Sequence, residues 1–454
     1  MKRIIAVLLT LVFSVSLLSA CRNNKEITDP DNPITLTMWH VYGSQTKSPL
    51  NVAIDKFNST VGKEKGIIIN VVSVTSSSAI DKALSDAANG EPGAEELPDL
   101  FTAYPRVAEL VGKERLLPWN NYFSKEELSE YTKEFISEGY FGDKLLMLPI
   151  AKSSEVFYLN ETIFDEFSKQ TSYSIDDLKT FDGIFRTANA YYDLTGGQHF
   201  TQINDFYHYA YIGMKTQGEE LVTEGKLNLK SKAFENIWNP LAKCAIYGGI
   251  CLDDGYAAAR WKTVEIISNI GSTADVLYQP DSVISPDNTT VKIKSISMPY
   301  PLFDKNAPAS VHRGGGLFAV KNDNERKNYA SYVFAKWITE EQNNIDFVTE
   351  AGYLPVKSNS FKVLFEKKNS IQNENYKNLY ETVDNMYGDY ELYALPLYDG
   401  ASDIQRDFEE NVKVILKAAH IQYEKRVASG EDKESVLKEL TQASLSEIIK
   451  LSEK

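Results

Sequence analysis

From residue 34 to residue 103 the hydrophobic pattern switches repeatedly between a strand's period of about two and a helix's period of about 3.6. I-T-L-T-M (residues 34–38) alternates apolar and polar side chains, as a half-buried strand does. Ser48 then offers an N-cap and Pro49 a first helical residue, after which Leu50, Ile54, Phe57 and Val61 share one helical face. Residues 67–74 read as a buried strand, 79–88 as a helix and 98–103 as a further strand. Strands alternating with helices predict an α/β architecture with a mainly parallel sheet. Ligands of such sheets bind beyond the carboxyl ends of the strands. That topology singles out Trp39, His40, Tyr42 and Tyr104.

At 454 residues the chain is too long for one ordinary core, so two domains are expected. The middle, about 160–287, reads as mainly helical, interrupted by strand-like runs at 264–270 and 291–298. Residues 317–320 form a strand, and Tyr329, Val333, Phe334 and Trp337 a helical stripe that belongs to the core. From about Ile404 onward two long helices follow. The net charge of -15 excludes a sequence-independent grip on nucleic acid, which needs Lys and Arg in excess.

The N-terminus carries an export signal. Lys2 and Arg3 precede a mainly apolar run of fifteen residues (4–18), too short for a comfortable membrane span. L-S-A-C (residues 18–21) then resembles the lipobox of bacterial lipoproteins, which implies cleavage after residue 20 and acylation of Cys21. An ordinary signal peptide with an incidental cysteine is the alternative. Residues 21–33 are polar and read as a flexible tether. The two other cysteines, Cys244 and Cys251, frame C-A-I-Y-G-G-I-C. In an exported chain they are expected to form a disulfide, with two buried thiols as the alternative. No histidine lies near them in sequence, so no metal site is expected there.

Four stretches together resemble the extracellular solute-binding proteins of bacterial ABC importers, the carbohydrate-type family 1. I-T-L-T-M-W-H-V-Y-G (34–43) resembles their first strand and loop, and L-P-I-A-K-S-S-E-V-F-Y-L-N (148–160) their crossover strand. G-G-G-L-F-A-V-K-N-D-N-E-R-K-N-Y-A-S-Y-V-F-A-K-W-I-T-E-E-Q-N (314–343) resembles their block of glycines, strand and helix, and A-G-Y-L-P-V (351–356) their return crossover. The resemblance implies a two-lobed α/β fold of the periplasmic-binding-protein type II, with discontinuous lobes, a hinge and a ligand held in the interlobe cleft. Lobe 1 would comprise 34–147 and 314–352, lobe 2 154–297 and 355–454. It also implies a monomeric, lipid-anchored binding component on the extracytoplasmic side of the cell membrane, partnered by an ABC permease. Its ligand would be a mono- or oligosaccharide, with no cofactor and no metal. A phosphorylated polyol such as glycerol phosphate is the alternative ligand, because the W-H opening and the G-Y-L-P block also resemble the glycerol-phosphate binders of the same family.

Gly314-x-Gly316-x-x-Ala319 also fits a dinucleotide-binding fingerprint. That motif needs a strand before it and a helix after it. Here the strand comes after, which excludes a phosphate cradle. Gly314, Gly315 and Gly316 instead offer backbone without Cβ atoms, able to reach positive φ and to let a ligand or a facing lobe approach closely. A glycine bulge entering a strand is the structural alternative.

A sugar presents hydroxyl edges and patches of C–H, so its site needs planar polar groups and aromatic faces. Trp39 and Tyr42 are the aromatic candidates after the first strand, and His40 a hydrogen-bonding one. Ser154 and Glu155 open the crossover strand. The resemblance adds Trp261, at a position that often carries an aromatic near the ligand, although K-T-V-E (262–265) replaces the family's usual glycine and small apolar run. It also adds Ser272 of the Gly271-Ser272 pair. Arg313, Gly315 and Tyr353 complete the set, with Arg313 able to meet a phosphate bidentately. G-x-S-x-G, G-x-x-x-x-G-K-[ST] and H-E-x-x-H are all missing. A surface-anchored glycoside hydrolase needs only two carboxylates across a cleft and stays as a second class. An adhesive lipoprotein is the third.

Overall fold

The computed structural model describes residues 27–42, 48–73, 77–284, 288–396, 398, 400–451 and 453. The expected signal peptide, Cys21 and the first part of the tether lie outside the described residues. The strands of the two main sheets are, in chain order, β1 (Ile34–His40), β2 (Ile67–Ser73), β3 (Leu100–Ala103), β4 (Ser153–Asn160), β5 (Thr201–Ile203), β6 (Ser268–Ser272), β7 (Ser295–Pro299), β8 (Ala309–Arg313), β9 (Gly316–Ala319) and β10 (Glu391–Tyr393). The helices used below are α1 (Pro49–Ser59), α2 (Phe206–Lys215), α3 (Lys232–Tyr247), α4 (Glu325–Ile338), α5 (Ala401–Ala428) and α6 (Lys433–Leu451).

Two compact units share the chain. The first is Met1–Lys152, Gly314–Glu350 and Pro355–Phe361, the second Ser153–Arg313, Ala351–Leu354 and Lys362–Lys454. The division differs from the expected lobes around residue 353. The Val356 carbonyl accepts from Thr132 N–H at 3.0 Å and Lys357 pairs with Glu130 at 2.7 Å, which ties 355–361 to the first unit. Gly352 lies close to the backbone of the second: a Cβ on it would stand 2.9 Å from the Thr273 carbonyl oxygen.

In the first unit the sheet order is β9-β3-β1-β2. β1 runs parallel to β2, from Ile34↔Ile67 to His40↔Ser73, and parallel to β3 at Met38↔Leu100; β9 is antiparallel to β3. The capping signals act as read: Ser48 Oγ accepts from Asn51 N–H, and Pro49 starts α1. Leu50, Ile54 and Phe57 are buried, and Phe57 meets the α4 stripe edge-on through Phe334 and Trp337. The three glycines stand where the backbone is closely packed. Gly314 takes φ 112°. A Cβ on Gly315 would stand 2.2 Å from the Ala103 carbonyl oxygen, and one on Gly316 2.5 Å from that of Leu148. The bare backbone is filled by the unit's own strands.

The second unit departs from the expected parallel sheet. Its order is β10-β8-β4-β6-β5, with β7 also pairing β4. β4 is buried along its whole length and is antiparallel to β6, β7 and β8; only β5–β6 and β8–β10 are parallel. The strand expected at 264–270 begins later, at Ser268, because Val264 takes φ 58°, outside the extended region. The two C-terminal helices form as read. α6 docks on α3, where Trp238 Nε1 donates to Ser444 Oγ at 3.1 Å.

The expected disulfide is not formed. Cys244 and Cys251 are free, buried thiols. The Cys244 thiol points from α3 toward the Phe185 carbonyl. Gly248 at φ 112° turns the chain, and Cys251 is carried to the sheet edge, where its N–H donates to the Thr201 carbonyl at 2.8 Å. Burial raises both thiol pKa values.

Candidate functional site

Glu155 is the third residue of β4 and only 2% exposed. A buried carboxylate costs several kcal/mol unless it is paired, and two donors converge on its Oε1. Arg313, the last residue of β8, donates through Nη1 at 3.0 Å. His208 of α2 lies 2.8 Å away through Nδ1. The register brings the first pair together, since His312↔Ser154 and Arg313↔Ser153 align β8 with the start of β4. The helix cap brings the second. Asp205 caps α2 and accepts from His208 N–H, which presents the His208 side chain at the third helical position.

Further carboxylates surround this pair. Asp205 Oδ2 lies 3.3 Å from His208 Nδ1 and 3.9 Å from Arg313 Nη2. Burial acts to raise the Asp205 carboxyl, but His208 and Arg313 outweigh it and hold the group below the usual carboxylate range. Asp275 follows β6 and is half-buried; burial pushes it up to about 6, against the attraction of Arg313 and with Glu155 adding to the rise. Asn204 Nδ2 donates to Asp275 Oδ2 at 3.1 Å. Glu409 of α5 accepts from Tyr207 N–H at 2.5 Å, and burial, then Asp205, push its pKa well up. Glu155, Asp205 and His208 bring three potential metal-ligand atoms within 4.8 Å of one another. The Arg313 guanidinium already occupies the same Glu155 oxygen, so a metal ion there would meet a fixed positive charge. The group is an ion-pair network with oxygen acceptors and guanidinium and amide donors on its rim.

A family model of the bacterial extracellular solute-binding proteins matches residues 53–377. The chain belongs to that family. No curated protein matches the sequence. Solved structures do match in fold. The glycerophosphocholine complex of UgpB from Mycobacterium tuberculosis shares 15% identity, covering 93% of this chain and 100% of that one, with a TM-score of 0.64. The cycloalternan complex of an ABC substrate-binding protein from Listeria monocytogenes shares 13%, covering 91% and 98%, at 0.64. The cyclic α-maltosyl-1,6-maltose binding protein of Arthrobacter globiformis shares 15%, covering 92% and 99%, at 0.61. The fold is the two-lobed α/β fold of the type II periplasmic binding proteins.

In this solute-binding protein the sequence-predicted residues divide sharply. Glu155 and Arg313 meet each other directly. Ser154 does not join them: its Oγ donates to the Val311 carbonyl at 2.9 Å and serves the sheet. Ser272 caps the turn Thr273–Tyr278 by accepting from Ala274 N–H. Trp261 is 1% exposed. Tyr353 is half-buried, and its carbonyl accepts from Tyr380 Oη at 2.9 Å. In the first unit Trp39 is a core residue, packed with Leu84, Phe101 and Phe318. His40 is fully buried, with Nε2 donating to Asn51 Oδ1 at 2.8 Å and Nδ1 accepting from Tyr42 N–H at 3.1 Å. Burial lowers its pKa, opposed by the Asn51 bond, so it is a neutral structural histidine. Tyr42 is half-buried, edge-on to Phe347.

Asp205, His208, Asp275 and Asn204 were not singled out in the sequence. One signal for two of them is present: D-F-Y-H (205–208) is an N-cap aspartate followed by a helix, which places residue 208 back beside the cap.

Proposed function

We infer that this protein is the substrate-capturing component of an ABC importer and that its ligand is a neutral mono- or oligosaccharide. The observation that carries the reading is the surplus of carboxylates around Arg313 in the second unit. Its guanidinium is bound to Glu155, lies 3.9 Å from Asp205 and is attracted by Asp275. A phosphorylated polyol would have to draw Arg313 away from a carboxylate that is 2% exposed, and would add negative charge beside two more. A hydroxyl pays neither cost, because it donates to the carboxylates and accepts from Arg313 or Asn204. Maltose, cyclic maltosyl-maltose and cycloalternan appear in the names of structural neighbours, in keeping with this choice. Capture and release need no covalent step on the ligand.

The protein acts as a monomer on the extracytoplasmic face of the membrane, held there by lipid on Cys21 and delivering to a permease. No helix among the described residues is long and apolar enough to cross a membrane; the attachment is the acyl chain on Cys21, which buries its methylenes in the bilayer. Labelled palmitate is expected to enter the wild-type chain and not Cys21→Ser; label in neither protein contradicts the anchor. The ligand is tested by thermal shift of the mature chain (residues 21–454, Cys21→Ser) against neutral sugars, polyols and phosphorylated polyols. A ligand at about 100 times its Kd adds about 2.7 kcal/mol of stability. Neutral sugars are expected to raise the transition and phosphorylated polyols to leave it unmoved; the reverse pattern contradicts the reading.

A further inference from the structure

Residues 27–33 are polar and carry two prolines, the composition of a flexible linker. Three contacts nevertheless fix them to the first unit. Asp29-Pro30-Asp31-Asn32 has the residues of a tight turn, with Asp first and Pro second. The turn forms: Asn32 N–H donates to the Asp29 carbonyl at 3.2 Å, and Asp31 N–H to Asp29 Oδ1 at 3.0 Å. Arg326, half-buried in the first turn of α4, straddles it. Its Nη2 donates to the Asn32 carbonyl at 2.6 Å and its Nε to the Ile27 carbonyl at 3.4 Å. Gly66, the residue before β2, makes room for the turn. It takes φ 66°, and a Cβ on it would stand 2.0 Å from the Asp29 carbonyl oxygen. Ile34 N–H donates to the Gly66 carbonyl at 2.8 Å, so the fixed segment runs directly into β1.

All of these groups lie at one edge of the first unit. β1 and β2 both start there, since Ile34 pairs with Ile67. β3 also starts there, and the antiparallel β9 ends there, with Ala319 opposite Leu100. α4 follows β9 and so brings Arg326 to the same edge. The carboxyl ends of β1 and β2 stand seven residues away, about 20 Å along the strands. Between Cys21 and Ile27 the chain can reach at most about 20 Å when fully extended. A tether free from Cys21 to Ile34 would reach roughly 40 Å and let any face of the unit meet the lipid.

We propose that Arg326 bolts the lipid tether to the first unit, so that the amino-terminal edge of β1–β3 faces the bilayer and the carboxyl ends of those strands face away from it. The occupant of this edge is the lipid surface, because the acylated residue cannot lie farther from Ile27 than six extended residues allow. The proposal rests on the Cys21 anchor inferred above and adds an orientation to it. Residues beyond the carboxyl ends of β1 and β3 are thereby held out toward the solvent.

The bolt is read in the mature chain (residues 21–454, Cys21→Ser) with a nitroxide at Thr28→Cys, the other two cysteines being buried. The label is expected to be immobilised, and to tumble severalfold faster once Arg326→Gln is added, at an unchanged melting transition. A label already mobile beside Arg326, or one that Arg326→Gln does not loosen, overturns the bolt. The orientation is read on the acylated full chain in phosphatidylcholine vesicles, by energy transfer to a lipid-borne acceptor from a dye at Lys63→Cys or at Val52→Cys. Both positions are exposed. Val52 lies in the first turn of α1, and Lys63 beyond the end of α1 at the tethered edge, about 15 Å farther along. Transfer should be stronger from Lys63→Cys, and either Arg326→Gln or six Gly/Ser residues inserted after residue 26 should remove most of the difference. Equal transfer from the two positions, or a difference that the insertion leaves intact, overturns the orientation. If palmitate does not enter at Cys21, the anchor reading fails and the orientation falls with it, whereas the Thr28 label still decides the bolt.

Discussion

Asp275 shows how burial turns a single carboxyl into a pH-dependent term. Its unfolded pKa is about 3.9, and in the folded chain burial raises it to about 6. Between those values the unfolded state binds fewer protons than the folded one, so stability falls as pH rises. The contribution is fully present below about 4 and is lost by the time pH passes about 6. Asp205, held low, acts in the opposite sense, and Glu409, held high, acts in the same sense. Asp275→Asn isolates the one group. Melting transitions of the two proteins are expected to converge toward pH 4 and to separate toward pH 7, with the variant the more stable; parallel curves would contradict the assignment. At this scale Glu155 and Arg313 were legible from their places on the crossover strand and beside the glycines. Asp205 and His208 were not, because caps and register bring them in across distances that local pattern does not encode.

Glycine and charge decide the two elements that lie at the chain crossings. Gly315 enters β9 so close to β3 that a methyl group would stand 2.2 Å from the Ala103 carbonyl oxygen. Gly315→Ala is expected to cost about 2–4 kcal/mol in chemical denaturation; a neutral result would show that the strands have room to separate. Lys152 precedes β4 and has no exposed surface, yet its ammonium bonds Glu138 and also donates to the Gly314 carbonyl at 2.9 Å. Burial raises the Glu138 pKa in spite of Lys152. Lys152→Met, which strands that carboxylate, is expected to cost about 3–5 kcal/mol, whereas Lys152→Met with Glu138→Leu should recover most of the loss. Equal losses in the single and double variants would show that the Gly314 contact, not the ion pair, matters. Strand and helix positions in the first unit were readable because each follows one clean period. In the second unit β4 is buried on both faces and has no alternation, so its antiparallel partners could not be inferred from pattern. The same holds for the glycines, whose need for bare backbone was visible while the groups filling it were not.

For the whole molecule, the resemblance of four separated stretches implied a chain that leaves one unit and returns to it, and the structure divides at Lys152, at Gly314 and near residue 351. That division follows from β4 and β8 pairing in one sheet while Gly314–Gly316 lies against Ala151, Ala103 and Leu148 in the other unit. The net charge of -15 adds a long-range bias against anionic solutes, which salt would relax. The decisive measurement is titration calorimetry of the mature chain with maltotriose and with glycerol 3-phosphate, each at low and at high salt. The account predicts saturable binding of the neutral sugar with an affinity that salt leaves unchanged, lost in Glu155→Gln, and no binding of the phosphate. Binding of glycerol 3-phosphate that weakens steeply with salt, or sugar binding that survives Glu155→Gln, would contradict it.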